Sequence, residues 1–63
     1  MKKLYFGERL KYIRKNRKLT QKQLAECIGL TRQAIAAYES GIREPNFEIL
    51  LKIADYFKVS IDF

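Results

Sequence analysis

The sequence predicts an all-α fold, a compact bundle of four to five helices. Three observations carry this reading. Apolar residues recur at intervals of three and four in separate stretches, the pattern of helices with one buried face. Thr20, Thr31 and Asn46 stand just ahead of such stretches, each with a side chain suited to capping a helix start. Residues 21–40, QKQLAECIGLTRQAIAAYES, place Ala25 where two helices would cross and Gly29 where the chain would reverse.

The first helix is expected from about Gly7 to Arg17, with Phe6, Leu10 and Ile13 on its apolar stripe and Arg9, Lys11, Lys15 and Lys18 on its solvated side. Asn16 to Lys18 should end it. If Lys18 adopts the left-handed conformation there, the strain is on the order of 1–2 kcal/mol. Thr20 and Gln23 form a capping box for a second helix from Gln21 to about Ile28, with Leu24, Ala25 and Ile28 facing inward. Gly29 can take a positive φ in the following turn, and Thr31 can cap a third helix covering about Arg32 to Glu39. Ile35 and Tyr38, three apart, should face the core. Two short helices joined in this way make a helix-turn-helix.

Gly41 suits a left-handed stop, and Pro45 holds Glu44 extended in the loop that follows. A fourth helix is expected after Asn46, with Phe47, Leu50, Leu51, Ala54 and Phe57 as its buried stripe and Lys58 at its negative end. Ser60 looks like the cap of a fifth helix that stops at Phe63, so the chain is expected to be either a fragment or a domain with a truncated end.

Sixty-three residues allow one domain, 1–63, with a modest core. A hydrophobic share of 48 % argues against disorder. A single cysteine, Cys27, and no histidine exclude an internal disulfide and the usual metal clusters, and no metal or cofactor is expected. The absence of histidine, of paired carboxylates and of a Gly-rich phosphate loop speaks against an enzyme. No apolar run approaches the ~20 residues of a membrane span, and MKKLYFGERLK is too polar for a secretory signal. A cytoplasmic protein without membrane partners is the expectation.

Charge is divided unevenly. Residues 1–32 hold ten Lys/Arg against Glu8 and Glu26, a balance of +8, while residues 33–63 hold three against five acids, a balance of −2. Such a division fits one face for a polyanion, and equally fits lysines that keep a small domain soluble.

TQKQLAECIGLTRQAIAAYESG resembles the DNA-binding core of the Cro/repressor family, also called the xenobiotic-response-element family, and REPNFEILLKIADYFKVSID resembles that family's fourth helix and the start of its fifth. The likeness runs from about Phe6 to Phe63. It implies the phage repressor type of bundle and a helix-turn-helix whose second helix enters the major groove. The implied function is a sequence-specific regulator of transcription, a prokaryotic or phage repressor that binds double-stranded DNA. One copy would read too few base pairs for useful selectivity, so a homodimer on a palindromic operator is expected.

On the third helix the outward set is Thr31, Arg32, Gln33, Ala36 and Ala37. Gln33 can pair bidentately with adenine, and Arg32 with guanine or a phosphate. In the resembled family the positions of Arg32 and Gln33 are frequent base readers. Ala36 and Ala37 depart from it, since only methyl groups stand where polar readers are common. Phosphate candidates are Gln21 and Lys22 at the start of the second helix, with Arg9, Lys11, Tyr38, Ser40, Ile42 and Arg43. The resemblance further implies that Gln21 packs against the reader beginning the third helix, and that Arg14 pairs with Glu39. Tyr56, Ile61 and Phe63, with Val59, are either a dimer surface or the closing edge of the monomer core. An antitoxin-like interaction module that also controls its own operon is the alternative reading, though no toxin-binding tail is evident.

Overall fold

The computed structural model describes residues 6–59. Four helices run in order: α1 Phe6–Asn16, α2 Gln21–Ile28, α3 Arg32–Ser40 and α4 Phe47–Phe57. No strand occurs among the described residues. Helix α3 lies against both α1 and α2, and α2 also meets α4. The core joins Leu10 of α1, Leu24, Ala25 and Ile28 of α2, Ile35 and Tyr38 of α3, and Ile53 and Phe57 of α4. The expected fifth helix, with Ser60, Ile61 and Phe63, lies outside the described residues.

The starts of α2, α3 and α4 are set by the residues expected to set them. The Thr20 hydroxyl accepts the Gln23 N–H at 3.0 Å, and the Gln23 side chain accepts the Thr20 N–H at 2.8 Å. Thr31 accepts from the Ala34 N–H at 3.1 Å, and Asn46 from the Ile49 N–H at 2.9 Å. Each bond satisfies a donor that the first turn of a helix leaves without an internal partner.

All four helices end in the same wrap. Leu19, Leu30, Ile42 and Val59 donate their N–H groups back to the carbonyls of Arg14, Ala25, Ala37 and Ala54 at 3.2, 2.8, 3.1 and 3.0 Å. The residue before each donor takes a left-handed conformation: Lys18, Gly29, Gly41 and Lys58, with φ of 58°, 74°, 83° and 58°. Glycine adopts this shape readily, whereas each lysine carries strain on the order of 1–2 kcal/mol. Lys58 is therefore more than a charge at the end of α4; its own backbone makes the stop. Its ammonium lies 3.7 Å from Asp55 in a fully solvated pair, a contact of little energetic weight.

The buried stripe of α4 differs from the expected one. Phe47 is 68 % exposed and Leu51 46 %, Leu50 is half-buried, and Ile53, absent from the expected set, is completely buried. Ala54 and Phe57 are buried as expected. Apolar residues occur on both flanks of this helix, so spacing alone cannot choose its rotation. Packing against α2 does, turning Ile49 and Ile53 inward.

Two contacts on α1 have no counterpart in the sequence reading. Gly7 is buried where α1 crosses the end of α3. A Cβ there would collide with the Tyr38 carbonyl oxygen and lie 2.6 Å from that of Glu39. Arg17, just past the end of α1, donates to the Phe57 carbonyl at 2.9 Å and sits 5.3 Å from the centre of the Phe57 ring. It ties the end of α1 to the end of α4 by a hydrogen bond and a cation–π contact.

Candidate nucleic-acid interface

The candidate interface centres on the first turn of α3. Thr31 is held in extended backbone with φ −92° and ψ 156°, its hydroxyl turned back to cap the helix. The chain therefore enters α3 with Arg32 and Gln33 both exposed. One turn on, Ala36 and Ala37 are half-buried and Ile35 is completely buried. The outward strip of α3 thus has two long polar side chains at its start and two methyl groups behind them, a surface low enough for close approach.

Helix α2 presents its start beside this strip. The capping box takes the Gln23 N–H, and helix geometry leaves those of Gln21 and Lys22 without partners inside the helix. With the helix dipole, these groups favour an anion. Lys22 is exposed and Gln21 half-buried. Gln21 bridges two helices: its Nε2 donates to Glu39 Oε1 at 3.0 Å, and its Oε1 accepts from Arg32 Nη1 at 3.3 Å.

Below it lies the ion pair of Arg14 and Glu39, at 6 % and 9 % residual exposure. Arg14 Nε donates to Glu39 Oε2 at 2.6 Å and Nη2 to Oε1 at 3.1 Å, a bidentate pair. Arg14 Nη1 donates to the Leu19 carbonyl at 2.6 Å. No buried side-chain nitrogen or oxygen among the described residues lacks a partner. Such a pair does not by itself stabilise a fold, but removing one member leaves a buried charge and costs about 3–5 kcal/mol.

The remaining phosphate candidates separate into two groups. Lys11 and Arg43 are exposed, and Arg43 stands in the loop after α3. Tyr38 packs its ring into the core with 7 % exposure, as its spacing predicts, and stays a phosphate candidate through its hydroxyl alone. Ser40 donates its hydroxyl to the Ala37 carbonyl at 3.1 Å, so its proton is already engaged. The N–H groups of Ile42 and Arg43 converge on that same carbonyl at 3.1 and 3.3 Å, so both are already engaged within the protein. Arg9 is half-buried rather than broadly solvated. Tyr56 is half-buried, with its hydroxyl 3.3 Å from Cys27 Sγ and its ring edge-on to Phe57. Ile61 and Phe63 lie outside the described residues.

No helix among the described residues is long and apolar enough to cross a membrane. A family model described as "Helix-turn-helix" matches residues 10–63. YqaE of Bacillus subtilis, an HTH-type transcriptional regulator, is 47 % identical over 58 residues, covering 92 % of this chain and 50 % of that protein. MJ0272 of Methanocaldococcus jannaschii, also an HTH-type transcriptional regulator, is 43 % identical over 54 residues, covering 86 % of this chain and 82 % of its own length. The chain spans about half the length of YqaE. Among solved structures, the P22 c2 repressor protein in complex with synthetic operator 9T superposes with a TM-score of 0.90 at 33 % identity, covering 95 % of this chain and 91 % of that one. The matched family model, the relatives and the shared architecture agree, and the chain belongs to the helix-turn-helix family of the Cro/repressor type.

Proposed function

We propose that this chain is the DNA-binding domain of a transcriptional regulator, a prokaryotic or phage repressor that reads double-stranded DNA with α3. One observation carries the reading: Arg32 and Gln33 stand exposed at the start of a helix whose far end is locked into the core. Laid in a major groove, that start brings an amide to adenine and a guanidinium to guanine or to a phosphate. Gln21, Lys22 and Arg43 flank it toward the backbone. The likeness to the P22 c2 repressor, solved on an operator, supports the same use here. Thr31, Ala36 and Ala37 complete the groove-facing surface, the alanines through thymine methyl contacts, and DNA shape supplies part of the specificity.

Two copies on half-sites about 34 Å apart would give the length of sequence a single α3 lacks. The end of α4 with Tyr56 is the surface proposed to join them. The antitoxin-like alternative has no support, since the relatives are transcriptional regulators.

Selection from a random duplex library at several salt concentrations tests the reading. A symmetric site should emerge, with log K falling against log salt at a slope of about −4 to −5, as four to six neutralised phosphates require. A salt slope without any base preference would contradict sequence-specific reading.

A further inference from the structure

Helix α1 has a face that neither the fold nor the proposed function uses. Its inner side carries Gly7, Leu10 and Arg14, buried toward α3 and the core. Glu8, Tyr12 and Lys15 are exposed on the opposite side. They stand four and three residues apart, so they form one ridge about 10.5 Å long. Tyr12 is 70 % exposed, and neither Glu8 nor Lys15 belongs to an ion pair among the described residues. A duplex lying on the start of α3 has the core and α1 behind it, so this ridge stays open to solvent.

The ridge is complementary to itself in one orientation. With the α1 helices of two copies antiparallel, Glu8 of each meets Lys15 of the other, and the two Tyr12 rings meet at the two-fold axis. A parallel setting opposes Glu8 to Glu8 and Lys15 to Lys15. One patch packed on itself in this way is the isologous contact of a two-fold pair. Resting on the proposed function, we infer that α1 is a docking face for a second copy: it pairs chains back to back, with their α3 helices facing outward, and so holds two occupied duplexes together. This face lies on a different helix from the end of α4 proposed to join two copies on one site. Exposed ion pairs and a single ring pair each contribute little, so the contact is weak between isolated chains. Sites that each carry two copies supply the multivalency it needs.

The test uses two duplexes, one immobilised and one labelled. Each carries the selected site and is occupied by protein to stoichiometry. Capture of the labelled duplex is measured beside the affinity for a single duplex. The parent chain should capture. Lys15→Glu should lower capture about two- to thirtyfold, the range that two exposed ion pairs span. Glu8→Lys should lower it as much. An equal mixture of these two variants, or the doubly changed chain, should restore it, because opposite charges then face each other again. Tyr12→Ala should lower capture about two- to tenfold with an unchanged melting curve. Charge alone gives another pattern: a basic domain that gathers duplexes non-specifically captures more after Glu8→Lys. That result overturns the pairing, as does a parent chain that captures nothing or a loss that the mixture does not repair. Each of these leaves the proposed function standing while preference on the single duplex persists. A parent chain with no base preference at any position overturns the function and the pairing together.

Discussion

The two ends of α3 face opposite demands. At its start Arg32 and Gln33 project into solvent, with Thr31 closing the first turn. Two turns later Tyr38 and Glu39 are buried, their carbonyls lie under Gly7 of α1, and the Glu39 carboxylate is held by Arg14. The start has few neighbours and polar side chains. The end has backbone-to-backbone contact and a bidentate ion pair. The contrast shows how a nine-residue helix, too short to be stable alone, can present two side chains at a fixed angle. Rigidity comes from the anchored end, and the open one carries the proposed recognition.

The largest expected effect attacks the anchor. Gly7→Ala adds a methyl group against the carbonyls of Tyr38 and Glu39, both backbone atoms that cannot swing aside. Alanine gains about 1 kcal/mol in helix propensity over glycine. Overpacking of this kind costs about 1–3 kcal/mol, at times more, and with backbone on the far side the upper range applies. A net loss of about 2 kcal/mol, or a melting temperature lower by roughly 10 °C, is the expected outcome in thermal denaturation. An unchanged melting temperature would mean that α1 and α3 are not locked at this point.

A smaller effect, of opposite sign, lies away from both ends of α3. Lys18→Gly removes left-handed strain at the wrap closing α1. Relief of about 1–2 kcal/mol, less the extra freedom glycine has when unfolded, leaves about 1 kcal/mol of stabilisation. The melting temperature should rise by roughly 4–8 °C with base preferences unchanged. A fall in stability would show that Lys18 contributes contacts outweighing its strain.

Much of this was legible from residue spacing and caps. Thr20, Thr31, Asn46, Gly29 and Gly41 announce helix boundaries by local chemistry, and local chemistry is what a sequence displays directly. The rotation of α4 was not legible, because Phe47, Leu50 and Leu51 on one flank and Ile49 and Ile53 on the other are equally apolar and only the neighbouring helix chooses between them. Gly7 looked like an ordinary helix residue, since its reason lies in α3, more than thirty residues away. At the candidate site, Arg32 and Gln33 stand out by position and chemistry. The Gln21–Glu39 bond joins residues 18 apart across two helices, and periodicity carries no trace of it. Tyr38 belongs to the core by burial, in line with its spacing, and the phosphate contact of its hydroxyl remains a proposal.

The most direct test of an anchored helix with an open reading end is Gln33→Ala, followed by melting and by binding to the selected site and its single base-pair changes. The account predicts an unchanged melting temperature, together with about 1–3 kcal/mol of lost discrimination confined to one base pair. Equal affinity for every sequence before and after the change, or a large fall in melting temperature with no shift in base preference, would contradict it.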